Sequence, residues 1–261
     1  MSLSLDRLAA ALHEHAENLI LFEEMDSTHA AALRLMEQLD SEDLEIRETL
    51  IVAQRQAQGV GRNGRSWISP EGGLYLNWLR SGIESSTVGR LPMVAAAAAH
   101  ASLTDFGVQD LVIKWPNDIL GNAAKLAGIL IHVRHGDTAW VTVGLGLNVS
   151  ATPPVAVSGG LPATSVAELL GRDVDSDQFP ALAGGFVSRL RQAIIEPGTM
   201  LEHWRTFLLH NPGDAMNVRL ASGEVVSGTL EEITDEGFLR LATSRGERVI
   251  TGGDIVEGSG K

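Results

Sequence analysis

Residues 111–130 read Leu-Val-Ile-Lys-Trp-Pro-Asn-Asp-Ile-Leu-Gly-Asn-Ala-Ala-Lys-Leu-Ala-Gly-Ile-Leu. The stretch opens on a short apolar strand, Leu111-Val112-Ile113, and Pro116 directs an extended exit from it. That exit leaves Asn117 and Asp118 at the strand tip, beside Lys114. Further on, Lys125 enters a second apolar strand that runs from Gly128 to Val133. A lysine at the start of an apolar strand is costly unless its ammonium meets an anion or water. The two readings are an anion site and a side chain that snorkels to solvent. The chain has only three lysines, Lys114, Lys125 and Lys261, against 17 arginines. An ammonium is a compact point charge that a guanidinium does not replace, so two lysines this close together favour the anion site.

Outward from this stretch, Trp140 to Leu145 forms a third strand, joined to the second as a hairpin by a turn at His135-Gly136-Asp137. Its continuation, Val143-Gly144-Leu145-Gly146-Leu147-Asn148, carries two glycines, which in a strand mark close approach of a ligand or of another backbone, or a bulge. Upstream, residues 5–17 show a helical stripe at Leu5, Leu8, Leu12 and Ala16. Leu19 to Phe22 is a buried strand. Asp26-Ser27-Thr28 caps a helix with Leu33, Met36 and Leu39 on its apolar face. Ile51-Val52-Ala53 and Leu74 to Leu79 are strands, and 88–106 is an Ala-rich core helix ending at Gly107. Residues 151–162 form a Pro/Gly loop, and helices follow near 165–170, 180–195 and 199–209. Beyond Asn211-Pro212-Gly213 the pattern changes to five short strands with tight turns. The expected fold is α+β. A mixed sheet with helices spans 1–211, and a small SH3-like barrel spans 212–261.

Gly59-Val60-Gly61-Arg62-Asn63-Gly64 matches the dinucleotide fingerprint G-x-G-x-x-G, and with Arg65-Ser66 it lies one substitution from a P-loop. Both motifs need a helix to begin at once. Here Trp67-Ile68-Ser69-Pro70-Glu71-Gly72-Gly73 follows, so neither applies. What remains is a loop whose glycines admit close backbone approach and whose Arg62 and Arg65 supply positive charge.

Composition narrows the class. The chain has 261 residues, 44% of them hydrophobic and 20% charged, enough for a substantial core. With no cysteine, a disulfide framework, a thiolate nucleophile and a Cys-ligated metal are all excluded. The net charge is −13, which disfavours nucleic acid and anionic lipid. Residues 51–125 are nevertheless positive, with seven Lys and Arg against five Asp and Glu. No apolar run is long enough to span a membrane. Met1 to Asp6 lacks the basic start and apolar core of a signal peptide, which points to the cytoplasm.

Taken in order, Asp26-Ser27-Thr28, Gln56 with Gly59 to Trp67, Lys114 to Asp118, Lys125 to Leu130 and Gly144 to Asn148 resemble the biotin protein ligase family. Its pattern is D-S-T, a Gln before G-R-G-R-x-G-R-x-W, then K-W-P-N-D, K-L-A-G-I-L and G-x-G-x-N. Pro162-Ala163-Thr164-Ser165-Val166 looks like a further family feature. Two positions depart: Val60 replaces the first loop Arg, and His29 stands where Asn is common. With 25 residues before Asp26, the resemblance is to the form without an N-terminal DNA-binding domain.

The resemblance implies a class II synthetase-like catalytic domain that activates biotin as biotinyl-5′-AMP and transfers it to a lysine of a biotin carboxyl carrier protein. It implies catalytic roles for Lys125, Arg62, Lys114 and Asp118. Biotin would meet Ser27, Thr28, His29, Gln56, Val60, Gly61, Arg62, Lys125 and Gly128, with apolar walls from Leu126 and Ala127. The nucleotide would meet Gly59, Arg62, Arg65, Trp67, Lys114, Asn117 and Asn148, with Trp67 covering the adenine. Mg²⁺ is the implied cofactor, near Asn117 and Asp118. The implied partners are biotin, ATP and the carrier; a homodimer is compatible with this, whereas specific DNA and a membrane are not. For Ser27 and Thr28 a plain helix cap is the alternative role. A lipoate ligase, a non-catalytic biotin-binding module and a dinucleotide oxidoreductase are the alternative classes, the last only if a helix follows Gly64.

Overall fold

A computed structural model describes residues 5–42, 44–45, 47–135, 139–153 and 161–256. Gly136 and Asp137 of the expected hairpin turn, and much of the expected loop at 151–162, lie outside the described residues.

The larger part is built on a seven-stranded sheet. Its order is β1 (Asn18–Met25), β2 (Thr49–Gln56), β3 (Gly73–Ile83), β7 (Ala139–Asn148), β6 (Ala124–Arg134), β5 (Asp118–Gly121) and β4 (Leu111–Lys114). β1 and β2 run parallel and every other neighbouring pair is antiparallel, so the sheet is mixed. Helices α1 (Leu5–Leu12), α2 (Thr28–Ser41), α3 (Ser85–Val88), α4 (Leu91–Asp105), α5 (Val166–Leu170), α6 (Phe179–Ile195) and α7 (Gly198–Thr206) complete it.

Strand alternation decides where the core sits and where room is left. Leu74, Leu76 and Trp78 of β3, Ala127 and Ile129 of β6, and Val143, Leu145 and Leu147 of β7 join one cluster with α4 and α6. The run Ala95 to Ala99 is at most 2% exposed, which explains a helix apolar on all sides. On the other face α2 packs Ala32 and Met36 against Ile51 and Leu79. The intervening residues of β6 and β7 on that face include Gly128, Gly144 and Gly146, whose missing side chains open a pocket beside the start of α2.

Three expectations are corrected by the fold. Pro116 does not lead the chain away from the strand. The chain reverses within three residues, and β5 returns along β4 with Lys114 opposite Asp118. The turn into β6 places Asn122 and Ala123 at φ of 50° and 60°; an alanine in the left-handed region carries no turn signal. The helix expected at 5–17 ends at Leu12, and the one at 88–106 begins at Leu91 after the short α3.

The second sheet is antiparallel, in the order β11 (Gly246–Ile250), β10 (Leu239–Thr243), β9 (Val225–Ile233), β8 (Ala215–Arg219) and β12 (Asp254–Ile255). The five strands expected of a barrel are present, but among the described residues no ladder joins β11 to the two-residue β12, so the sheet is open. Met216, Val218, Leu230 and Leu239 belong to the same hydrophobic cluster as α4. The Trp115 indole N–H donates to Gly237 O at 2.8 Å. Residues 207–209, between the sheets, run beside β4: Ile113 N–H donates to Phe207 O at 2.7 Å and Leu209 N–H to Ile113 O at 2.8 Å.

Candidate active site

Ser27 caps α2, its Oγ accepting from Ala30 N–H at 3.4 Å. The preceding Asp26 pairs with Arg34 through 2.7 and 3.1 Å contacts; that hydrogen bonding holds its carboxyl below the usual range. Thr28 gives both its N–H (2.8 Å) and its hydroxyl (3.1 Å) to Gln56 Oε1. The Gln56 amide then donates to Ser69 Oγ at 2.8 Å, and Ser69 donates to Trp67 O at 3.0 Å. The helix start, the end of β2 and the far side of the glycine loop are thereby locked together. Ser69, which sequence reasoning passed over, completes that lock.

No helix follows Gly64. Arg62–Gly64 is a single 3-10 turn, and the chain then pairs back through Val60 opposite Ser66 and Gln56 opposite Ser69. Both phosphate-loop motifs fall on this geometry, and with them the dinucleotide alternative. The loop folds onto the pocket. A Cβ on Gly59 would lie 2.3 Å from Trp67 O, so only glycine permits the approach. Trp67 lies on the glycines of the sheet: Cβ atoms on Gly146 and Gly128 would come within 2.7 and 3.1 Å of its indole.

The result is a half-open cleft rather than a sealed cavity, concave and mostly apolar with a few convergent polar groups, the character of a small-ligand site. Its lining brings together Ser27, Thr28, His29, Gln56, Val60, Gly61, Arg62, Arg65, Trp67, Asn117, Asp118, Lys125 and Gly128 of the expected site. Ser66, Leu130, Gly144 and Gly146 also line it. Leu126 and Ala127, expected as walls, are fully buried in the main hydrophobic cluster, an irregularity opposite Ile119 and Leu120 having added one residue to β6 there. Side chains alternate along β6, so it is Gly128 and Leu130 that flank this space.

Lys125 is the cation of the pocket. Its Nζ lies 2.7 Å from Asp118 Oδ1, with only 13% of the side chain exposed, and 5.2 Å from the centre of the Trp67 ring. Arg62 donates to Asn117 Oδ1 at 3.0 Å. Burial pushes the Arg62 guanidinium pKa down, against the opposing pull of Asp254 and Asp118. The His29 ring is lowered to about 4 by burial and, secondarily, by His132, so it is neutral near pH 7.

Three expected residues do not line this pocket. Gly59 shapes the loop from behind. Asn148 is 1% exposed and donates to Thr164 O at 2.9 Å and Lys125 O at 3.4 Å, so it ties β7 and the 162–165 segment to the lysine's backbone. Lys114 lies in an adjoining cavity with Arg65, Asn117, Asp118, Lys125, Arg219 and Asp254, its Nζ donating to Ile255 O at 3.4 Å. Trp67 is already packed inside the wall, 8% exposed, rather than standing off as a cover. Among the described residues no three His, Asp or Glu side chains cluster as metal ligands.

A mixed sheet with a glycine-floored pocket, one buried lysine and an arginine loop defines a protein that handles a small anionic ligand without a thiol nucleophile. Residues 21–148 match the biotin/lipoate A/B protein ligase family, and residues 216–257 match the biotin protein ligase C-terminal domain. The chain is 30% identical over 242 residues to the biotin–[acetyl-CoA-carboxylase] ligase of Paracoccus denitrificans, covering 89% of this chain and 98% of that one. It is 32% identical over 216 residues to the bifunctional ligase/repressor BirA of Bacillus subtilis, covering 79% of this chain and 65% of the relative. The fold resembles the biotin protein ligase of Aquifex aeolicus solved with biotin and ATP, with a TM-score of 0.68 at 25% identity over 91% of this chain and 97% of that one. The chain belongs to the biotin protein ligase family.

Proposed function

We propose that the protein is an ATP-dependent ligase that activates biotin as biotinyl-5′-AMP and transfers the biotinyl group to a lysine of a biotin carboxyl carrier protein. The observation that carries this reading is the convergence, in one pocket, of the Ser27–Thr28–Gln56 polar group with Arg62, Lys125 and Asp118. The first set suits the donors and acceptors of a ureido ring; the second suits a carboxylate meeting a phosphate.

In the first step a biotin carboxylate oxygen attacks the α-phosphorus and pyrophosphate leaves. Both reactants are anions, so the barrier is largely electrostatic. Lys125 neutralises the carboxylate and the α-phosphate, Arg62 holds phosphate oxygens, and Lys114 and Arg65 line the adjoining cavity toward the remaining phosphates. The Trp67 indole N–H is buried without a partner among the described residues, a donor for the ligand where chain and nucleotide join. In the second step the neutral acceptor amine attacks the biotinyl carbonyl carbon, the bond from that carbon to the phosphate oxygen breaks, AMP leaves with the bonding electrons, and the amine gives up one proton to solvent. AMP is a good leaving group, so no enzyme nucleophile is required. Asp118, beside Lys125, is placed to orient the incoming amine.

Mg²⁺ is part of the proposal. It suits one carboxylate, Asp118, together with nucleotide phosphates rather than a protein cage, and it would offset phosphate charge. We read the large sheet as class II synthetase-like and the small one as an SH3-like barrel left open between its edge strands. The likeness to biotin protein ligases and the five-strand order support both. We read its location as the cytoplasm, where ATP is supplied. At a net charge of −13, no specific duplex DNA binding is expected.

The test is to mix the protein with biotin, MgATP and a carrier domain, follow pyrophosphate and weigh the carrier. Pyrophosphate release that requires biotin, and one added biotinyl group, are expected. Tight biotin binding without pyrophosphate would leave a binding module instead.

A further inference from the structure

Resting on the reading that this site binds ATP, we propose that Asp254 is a positioning residue of the phosphate site. It is a resident anion that holds the loop arginines in place until the triphosphate displaces it. Asp254 opens β12, in the C-terminal sheet, and its carboxylate crosses to the glycine loop. Oδ1 lies 2.7 Å from Arg65 Nη2 and 3.6 Å from Arg62 Nη1. Oδ2 accepts from the Asn63 amide at 3.2 Å. Three polar side chains of one short loop therefore meet a single carboxylate that belongs to the other sheet.

Its position is built in. A Cβ on the preceding Gly253 would lie 2.7 Å from Val218 Cγ1 and 2.8 Å from Arg219 O, so the backbone before Asp254 packs directly on β8. The carboxylate borders the cavity that also holds Lys114, Lys125 and Arg219. The other acid there, Asp118, is engaged by Lys125 at 2.7 Å, which leaves Asp254 as the partner of the loop.

A carboxylate and a phosphate present the same pair of oxygens to a guanidinium fork. Arg65 meets Asp254 through Nη2 alone, its Nε donating to Arg62 O at 3.1 Å, so a phosphate that takes Nη2 displaces the carboxylate. Without nucleotide, Asp254 keeps two long cationic side chains gathered at the mouth of the site, so their ordering is already complete when ATP arrives. The same contact competes with the triphosphate, and because Arg65 is also held by Arg62 O, losing the carboxylate costs little ordering and the competition sets the sign.

The test measures MgATP, inorganic pyrophosphate and biotin binding separately by calorimetry. Asp254→Asn keeps the shape and removes the charge. It should tighten MgATP and pyrophosphate by about 3- to 10-fold, the scale of a partly exposed charged pair, and leave biotin unchanged. Asp254→Glu should return MgATP affinity to the wild-type value. In an Arg65→Gln background the effect of Asp254→Asn should shrink to less than about two-fold, because the shared partner is gone. A purely structural role would weaken both substrates together. Asp254→Ser replaces the amide variant should the latter fail to fold. Unchanged or weaker MgATP binding in the neutral variant overturns the inference. Wild-type protein that binds no MgATP would instead overturn the functional reading beneath it.

Discussion

Lys125 and Lys114 are separated by β5, and their surroundings differ. Lys125 lies within the pocket against Asp118 and Trp67, whereas Lys114 reaches the adjoining cavity. Lys125→Ala should therefore reduce adenylate formation more than Lys114→Ala does. A charge-assisted hydrogen bond of about 1.5–3 kcal/mol corresponds to roughly 10- to 150-fold in rate, read by pyrophosphate release. Val60, 40% exposed, faces Ser66 across the loop, where it offers no charge to a ligand. Val60→Arg should lengthen retention of biotinyl-AMP several-fold, by about 1 kcal/mol, with little change in its synthesis; single-turnover kinetics separates the two. His29 gives a pH signature. Its folded pKa of about 4 lies below the ordinary 6.5, so the unfolded chain takes up the proton first as pH falls. The stability it contributes is complete above about 6.5 and is lost as pH drops toward about 4. The swing is about 1–2 kcal/mol, allowing for the ring's partial exposure. His29→Asn should flatten the fall of melting temperature across that window. His210, lowered to about 4 by burial, sustains what remains.

At the scale of elements, the floor of the pocket depends on two strands that give up their side chains. Gly146→Ala would set a methyl 2.7 Å from the Trp67 indole. Overpacking of about 1–3 kcal/mol follows, seen as roughly a 5- to 150-fold loss in kcat/KM for biotin and a shift in tryptophan fluorescence. Gly144→Ala meets the Asn77 amide at 3.1 Å and the Leu130 carbonyl at 3.4 Å and should be milder. These glycines were legible in the sequence as a sign of close approach; what approaches was not, because Trp67 is 79 positions away along the chain. Helices and strands with a clear period were read correctly. β5 was missed because its four residues are too short for a periodic signal and its closing turn uses an alanine in the left-handed region. Most expected pocket residues converge because their motifs stand at strand ends and a helix start, positions that proline, glycine and capping residues mark locally. Leu126 and Ala127 are buried in the core rather than lining the pocket, because motif membership does not say which way a strand's side chains point or where its register shifts. Asp254 carried no local signal at all, since its role depends on how the second sheet docks.

For the whole molecule, the two sheets share one hydrophobic cluster and the Trp115–Gly237 hydrogen bond. Heating should therefore unfold the protein in a single transition, with far-ultraviolet and tryptophan signals coincident. Trp115→Phe should lower stability by about 1 kcal/mol through the lost hydrogen bond while preserving that single transition. Separate melting of the C-terminal sheet would contradict this view. The segment at 207–209 has a different consequence, for behaviour in a crowded solution. A sheet border with bare amides and carbonyls is a template on which other chains assemble. Here the β4 border, Leu-Val-Ile-Lys, is occupied by the chain's own linker, and the β1 border carries exposed charge at Glu23 and at Glu24, the latter paired with Arg55 at 2.6 Å, which disfavours a further strand. The weak point for fibril seeding is then neither border as folded but the transient peeling of residues 207–209, which would uncover the apolar border strand β4.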